Sequence, residues 1–290
     1  MVDYVYLGLY RFFSVLLHAI SRRRARKLAY GLAWLAYHIS RRRRNIINEN
    51  LDLAYKNGLS EVEKKKIGIA AFMNLIETTF ELMYRESMDK NDILKHIVFE
   101  NEEIVQKYQR EGKKLIFISG HYSNWELMAP AIAQKFHTTF VVVGRKLDSD
   151  VMDGVLKRSR EKFDVELVYK KGAMKGCIKA LNQDKSVGIL VDQSTKKHQS
   201  IDVEFFGHRA THTPMASILS RKYEVDLIPI FIHTEGIGEY RITIYDPIAC
   251  IKSDNAEEDL KQLTQAQADI MESVIKKDPK QWFWMHRRWK

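Results

Sequence analysis

From about residue 97 the chain alternates between short apolar runs of strand length and longer stretches with helical spacing, a pattern that few folds accommodate. Strands are predicted at 114–119, 138–144, 165–169, 187–192, 226–232 and 240–245, with helices at 124–136, 149–163, 174–184, 213–223 and 256–277. A run such as Leu115 to Ile118 has no polar side, which suits a parallel strand covered by helices on both faces. The expected fold class is therefore α/β, a mainly parallel sheet flanked by helices. The last two strands, joined through Glu235 to Glu239 with two glycines between them, read as an antiparallel hairpin.

Before residue 97 the pattern is helical. Val2 to Ile20 is apolar and aromatic-rich, interrupted by Arg11 and His18. Its length would just span a bilayer, and its polar interruptions fit equally a helix lying in the interface. No small-residue cleavage site follows, so a removed signal peptide is not expected. A second apolar helix, Leu28 to Ile39, is too short to span. Helices are also predicted at 45–56 and 60–87, the latter opening on Ser60 with Glu63 three residues on, a capping box. Phe72, Leu75, Ile76, Phe80 and Met83 repeat at helical spacing and are candidate core.

The charge is unevenly placed. The net charge is +10, yet residues 1–48 alone carry nine Arg and one Lys against Asp3. Basic clusters beside short apolar helices favour an anionic membrane surface. With the rest of the chain nearly neutral, the distributed basic face of a nucleic-acid binder is absent. These features divide the chain into basic, membrane-associated N-terminal helices, 1–44, and an α/β domain, 45–290, with no repeat or low-complexity linker. Cys177 and Cys250 lack metal-ligand spacing and read as buried thiols.

The run at Leu115 ends at Ser119 and Gly120, and a helical pattern resumes near Asn124. His121 therefore falls on a strand-to-helix turn, where open α/β sheets place their chemistry. It is the only one of ten histidines followed five residues later by an acid, Glu126. With His121 in the turn and Glu126 one turn into the helix, the carboxylate could fix the imidazole tautomer and leave the other nitrogen to take a proton from a hydroxyl. Spacing alone fits a capping histidine and a solvated glutamate as well.

Other candidates fall near strand ends. Arg145 follows the strand ending at Gly144, and Arg158 and Arg160 lie on the next helix. Arginine suits bidentate contact with phosphate or carboxylate, although each also fits a surface base. Asp192 and Gln193 close a strongly apolar strand, where Asp192 serves as a site residue or a turn cap. Thr213 before Pro214 reads as a helix N-cap. No metal site, phosphate loop, dinucleotide fingerprint or nucleophile elbow is present in the sequence. The tail from Trp282 to Lys290 packs three Trp and four cations into nine residues, either folding back beside the cleft or forming an interfacial belt.

Taken in order, Gly120 to Glu126, Gly144 and Arg145, Asp153 to Arg160, Asp192 and Gln193, Phe205 to Gly207 with Thr213, and Trp282 to Lys290 resemble the lipid A biosynthesis acyltransferases over nearly the entire chain. The resemblance implies a glycerol-phosphate-acyltransferase-like fold with an N-terminal helical membrane anchor, single-pass or monotopic, at the cytoplasmic face of the bacterial inner membrane. It implies transfer of a fatty acyl group from acyl carrier protein to a hydroxyacyl chain of a Kdo-bearing lipid A precursor, in lipopolysaccharide or lipooligosaccharide biosynthesis. Catalytic roles would fall on His121 and Glu126, and substrate-binding roles on Arg160, Asp192 and, less strictly, Arg145. No metal or cofactor is implied, acyl-acyl carrier protein being a co-substrate. Expected partners are acyl carrier protein, the lipid A precursor and anionic inner-membrane lipids, with no nucleic acid. Rival readings are acylation of another glycolipid or a lysophospholipid, and a non-catalytic membrane-binding protein.

Overall fold

Four α-helices precede the sheet in the computed structural model, which describes residues 2–289; Met1 and Lys290, the last cation of the C-terminal cluster, lie outside the described residues. The helices are α1 (Val2–Ala19), α2 (Arg22–Ile39), α3 (Arg41–Tyr55) and α4 (Glu61–Arg85). The expected capping box starts α4: the Ser60 amide donates to Glu63 Oε2 at 2.8 Å, and the Glu63 amide donates to Ser60 Oγ at 3.3 Å. The basic clusters form the opening turns of α2 and α3 rather than linkers between helices, and α3 runs unbroken across residues 44 and 45. Arginine is unfavourable at the positive end of a helix. On α2 the charge is offset from α4, where Glu81 pairs with Arg22 and Glu77 lies 3.6 Å from Arg26.

Among the described residues, no helix is long and apolar enough to cross a membrane. The 18 residues of α1 reach about 27 Å, short of a hydrocarbon core about 30 Å thick, and include Arg11 and His18. The expectation of a spanning anchor is thus not met. One face of α1 is instead committed to protein, with Tyr10 and Leu17 packed against Phe80, Met83 and Tyr84 of α4.

The sheet follows as β1 (Ile97–Glu100), α5 (Glu102–Arg110), β2 (Ile116–Ser119), α6 (Trp125–Lys135), β3 (Phe140–Gly144), α7 (Asp150–Glu161), β4 (Val165–Tyr169), α8 (Ala173–Asn182), β5 (Ser186–Leu190), β6 (Ile201–Phe205), β7 (His208–His212), α9 (Met215–Tyr223), β8 (Leu227–Thr234), β9 (Tyr240–Ile244) and α10 (Ala256–Lys277). Seven strands are ordered β1-β9-β8-β2-β5-β3-β4, all pairs parallel except the β8–β9 hairpin. This is the expected α/β class, with two additions. The edge strand β1 was not expected, nor was the separate β6–β7 hairpin. That hairpin turns through Phe206 and Gly207, both at positive φ as a two-residue type I′ turn requires. The helix predicted from residue 213 starts at Met215, with Pro214 in the capping position.

Alternation along β2 divides the core. Ile116 and Ile118 belong to the core that holds Ala216 and Leu219 of α9 and Met271 of α10, while Phe117 belongs to the one that holds Leu127, Met128 and Ala131 of α6. Burial on both faces explains why no polar residue interrupts the strand before Ser119.

Candidate active site

β2 and β5 are adjacent and parallel, with Ser119 opposite Leu190. Two residues beyond each of these stand His121 and Asp192, so strand register alone brings the two side chains together above the sheet. His121 Nδ1 lies 2.8 Å from Asp192 Oδ1, and the His121 backbone N–H donates to Oδ2 at 2.9 Å. A third donor, Trp282 Nε1, reaches Oδ2 at 3.0 Å. An ionised carboxylate only accepts, so Nδ1 carries a proton, and in the neutral imidazole it is Nε2 that presents the lone pair. The Gln193 amide nitrogen lies 3.3 Å from that Nε2.

Asp192 is 3% exposed. Burial by itself pushes its pKa up, but the charge of His121 and the hydrogen bonds from His121 and Trp282 outweigh it and hold the carboxyl well below the usual range. Gly120 makes the turn possible. A Cβ there would sit 2.7 Å from the Met271 thioether and 3.2 Å from Asp192 Cβ.

The carboxylate bonded to the imidazole is therefore that of Asp192, not the expected Glu126. Asn124 caps α6, its side chain accepting from the Leu127 N–H at 3.3 Å, and this starts the helix at Trp125. Glu126, in the first turn, meets Arg160 of α7 in a two-point contact: Oε1 to Nη2 at 2.6 Å and Oε2 to Nε at 3.2 Å. Burial raises the Glu126 pKa, while Arg160 and then Arg85 more than reverse this, so it is held below the ordinary carboxylate range.

Arg85 had no distinguishing signal, because a base in the last turn of an amphipathic helix is ordinary. It is 1% exposed and donates to the Glu126 carbonyl at 2.6 Å and to Ser159 Oγ at 3.3–3.4 Å. Burial, opposed by the Glu126 charge, brings its pKa down to about 10, so it stays charged at neutral pH.

Glu126 and Arg160 also line a narrow cavity of about 50 Å³. Trp125, Met128, Val143 and Leu190 line it too, and it runs beside the sheet to Phe117, Phe140 and Gly188. Its walls are mostly apolar, with the Glu126–Arg160 pair as the charged part of the lining.

Arg145 lies apart from this group. Its side chain is 74% exposed and pairs with Asp148. The C-terminal tail folds back onto the domain. Trp282 and Trp284 are buried, Phe283 lies 6.0 Å from the His121 ring, and Arg288 is buried against His212 and the Thr211 carbonyl. These aromatics are core, not an interfacial belt.

Over residues 1–290 the chain matches the family described as bacterial lipid A biosynthesis acyltransferase. It is 24% identical over 270 residues to a lipid A biosynthesis lauroyltransferase of Escherichia coli K12, spanning 91% of this chain and 84% of that protein. A lipid A biosynthesis acyltransferase of Haemophilus influenzae is 24% identical over 279 residues, spanning 91% and 84%. A lipid A biosynthesis palmitoleoyltransferase of Escherichia coli K12 is 21% identical over 257 residues, spanning 86% and 79%. With its whole length matched, this chain belongs to the bacterial lipid A biosynthesis acyltransferase family and is an acyltransferase.

Proposed function

We propose that this acyltransferase moves a fatty acyl chain from the thioester of acyl carrier protein to the hydroxyl of a hydroxyacyl chain on a Kdo-bearing lipid A precursor, at the cytoplasmic face of the inner membrane. The observation that carries the reading is an imidazole whose Nδ1 is held by a buried carboxylate, whose Nε2 faces the Gln193 amide, and whose ring lies 5.1 Å from Trp125 in the wall of an apolar cavity. In this reading Nε2 of His121 takes the acceptor hydroxyl proton as its oxygen attacks the thioester carbonyl. Asp192 orients the imidazole and balances its charge. The C–S bond then breaks, and the proton on Nε2 passes to the departing thiolate. General-base assistance of this kind contributes roughly 10²–10⁴-fold.

The oxyanion needs donors. The opening turn of α6, at Trp125 and Glu126, offers N–H groups with no intrahelical partner. The Glu126 contact engages Nε and Nη2 of Arg160, so Nη1 is the guanidinium nitrogen left to face the thioester. Glu126 thereby holds Arg160 rather than His121. In this reading the cavity receives the donor chain, and exposed Arg145 supplies charge for an acidic carrier protein.

The N-terminal helices support a surface-bound arrangement. Tyr4, Val5, Leu9, Phe12 and Val15 are exposed and fall within about 140° of one face of α1, away from buried Tyr10 and Leu17. Trp34, Leu35 and Ile39 are exposed on α2, close in sequence to exposed Arg41, Arg42 and Arg43. Each such base near an anionic surface contributes about 1 kcal/mol of attraction.

The test is an assay on membrane fractions with acyl carrier proteins charged with C12, C14 and C16 chains and a Kdo-bearing tetra-acylated lipid A precursor. The expected product gains one acyl mass with the wild type and not with His121→Ala. Equal product from the mutant would remove His121 from the mechanism. Acylation of a lysophospholipid but not the glycolipid would reassign the acceptor.

A further inference from the structure

The C-terminal segment is built into the turn that holds His121. After α10 the chain makes a short 3-10 turn at Pro279–Gln281 and then lies antiparallel to the turn, with Tyr122 and Trp282 forming an isolated bridge. The Ser123 N–H donates to the Gln281 carbonyl at 2.7 Å, and the Phe283 N–H donates to the His121 carbonyl at 3.0 Å. The Gln281 side chain accepts from the Thr234 N–H at 2.8 Å, tying the same strap to the end of β8.

The strap is itself anchored from both sides. Asn50 of α3 donates to the carbonyls of Trp284 and His286 at 2.8 and 2.7 Å. On the other side the His286 ring meets Ser194, and Arg288 is buried against Thr211 and His212. A segment held this way has little freedom to shift its side chains.

One of those side chains touches the carboxylate beneath the imidazole. The Trp282 indole N–H and the His121 backbone N–H both bind Oδ2 of Asp192, leaving Oδ1 directed at His121 Nδ1. Two donors on one oxygen fix the rotation of the carboxylate about its own bond. Trp282 is 2% exposed and sits 4.6 Å, centroid to centroid, from Trp284, so its ring cannot turn away without repacking the core.

We propose that Trp282 is a positioning residue for the reaction: its indole N–H locks Asp192 so that Oδ1 holds the His121 tautomer with Nε2 free to accept the substrate proton. The proposal rests on His121 being the general base, as argued above. Trp282 acts only through Asp192 and touches no reacting atom.

The test removes the N–H while keeping the ring. Full-length protein in membranes is prepared as Trp282→Phe and, by codon suppression, with 3-benzothienylalanine at 282, which preserves the bicyclic shape and replaces N–H with sulfur. Loss of a hydrogen bond to a charged acceptor predicts that kcat falls about tenfold or more, with KM for the acyl donor unchanged. The carboxylate, no longer sharing its charge with the indole, pulls harder on the imidazolium. The acid limb of the rate profile therefore moves to higher pH. The benzothienyl variant guards against a folding defect in Trp282→Phe. A wild-type kcat and pH profile in the benzothienyl protein would overturn the proposal. His121→Ala is run alongside: its retaining activity would sink the general-base reading, whereas an inactive His121→Ala beside an unaltered benzothienyl enzyme sinks only the role of Trp282.

Discussion

Nδ1 of His121 lies 2.8 Å from Oδ1 of Asp192, although 71 residues separate them in the chain. Their meeting depends on β2 and β5 being neighbours while β3 and β4 are placed outside them. The geometry predicts distinct consequences for the two carboxylates of the site. Asp192→Asn keeps the shape but offers the imidazole an amide, which disturbs the tautomer; a drop in kcat on the order of 10³–10⁴-fold is expected, comparable to amide replacement in a catalytic triad. Glu126→Gln leaves His121 paired and loosens Arg160, with an expected loss on the order of 10²-fold. Single-turnover rates on both variants decide the matter, and a greater loss of the His121-dependent step in Glu126→Gln would reverse the assignment.

How much of this was legible follows from where each signal resides. The strands at 116–119, 140–144 and 186–190 announce themselves because cover on both faces leaves apolar runs, whereas 165–169, at the sheet edge, is read from Val165, Leu167 and Val168 around exposed Glu166. β1 is four residues long with Val98 exposed and does not stand out from loop, whereas the alternation of Asp202 and Glu204 with Ile201, Val203 and Phe205 is a half-buried strand signal that a search for long apolar runs passes over. His121 was found because its turn directly follows a legible strand. Its partner was not, because strand order is a property of the packed sheet, and a five-residue spacing to Glu126 says nothing about which way a capped helix rotates its first turn. Arg85 is invisible for a related reason: only the packing of α4 on α6, with Ser159 of α7 against the guanidinium, makes its environment dry.

The buried His212 gives a stability signature at acid pH. Burial first, and then the charge of Arg288, push its pKa down to about 3, with Asp192 opposing. The unfolded chain therefore binds a proton near pH 6.5 that the folded chain refuses until about pH 3, and stability falls as pH drops across that window. Asp192, with its depressed pKa, adds a loss of the same sign below the ordinary carboxylate range. Thermal unfolding from pH 7.5 to 4.5 is expected to show a smaller decline for His212→Asn than for wild type. Parallel curves would mean that His212 protonates equally in both states.

Arg85 is predicted to be structural first. Arg85→Ala would leave the Glu126 carbonyl and Ser159 without their buried donor, at a cost of about 3–5 kcal/mol in denaturant unfolding. Arg85→Lys is expected to recover little, since an ammonium cannot reproduce a planar fork reaching both acceptors. Recovery of wild-type stability by lysine would show that charge alone is needed.

Phe140 lines the cavity. It begins β3, whose other end, Gly144, lies beside Arg160, and a Cβ on Gly188 would come within 2.4 Å of the Phe140 ring. Shortening the ring with Phe140→Leu is expected to favour longer donor chains, and Gly188→Ala, which adds a methyl group to the cavity wall beside that ring, shorter ones. Competition among C12, C14 and C16 donors measures this directly. Unchanged ratios in both variants would place the chain elsewhere.

The N-terminal helices separate lying on a membrane from crossing it. A helix that crosses would be retained in the bilayer after extraction at alkaline pH, while one held by an apolar face and surrounding bases is released. Release is expected here, because α1 spends Tyr10 and Leu17 on contacts to α4 and offers lipid only the opposite face, where Phe12 and Val15 are exposed. Phe12→Asp with Val15→Asp puts two carboxylates on that face and away from the protein contact, so the fold should hold while binding to vesicles containing anionic lipid falls at least about tenfold. Raising salt should weaken the wild type as well, since the bases at Arg41 to Arg43 act through a screened field. Retention of the double mutant on vesicles at high salt would place the membrane contact on another surface.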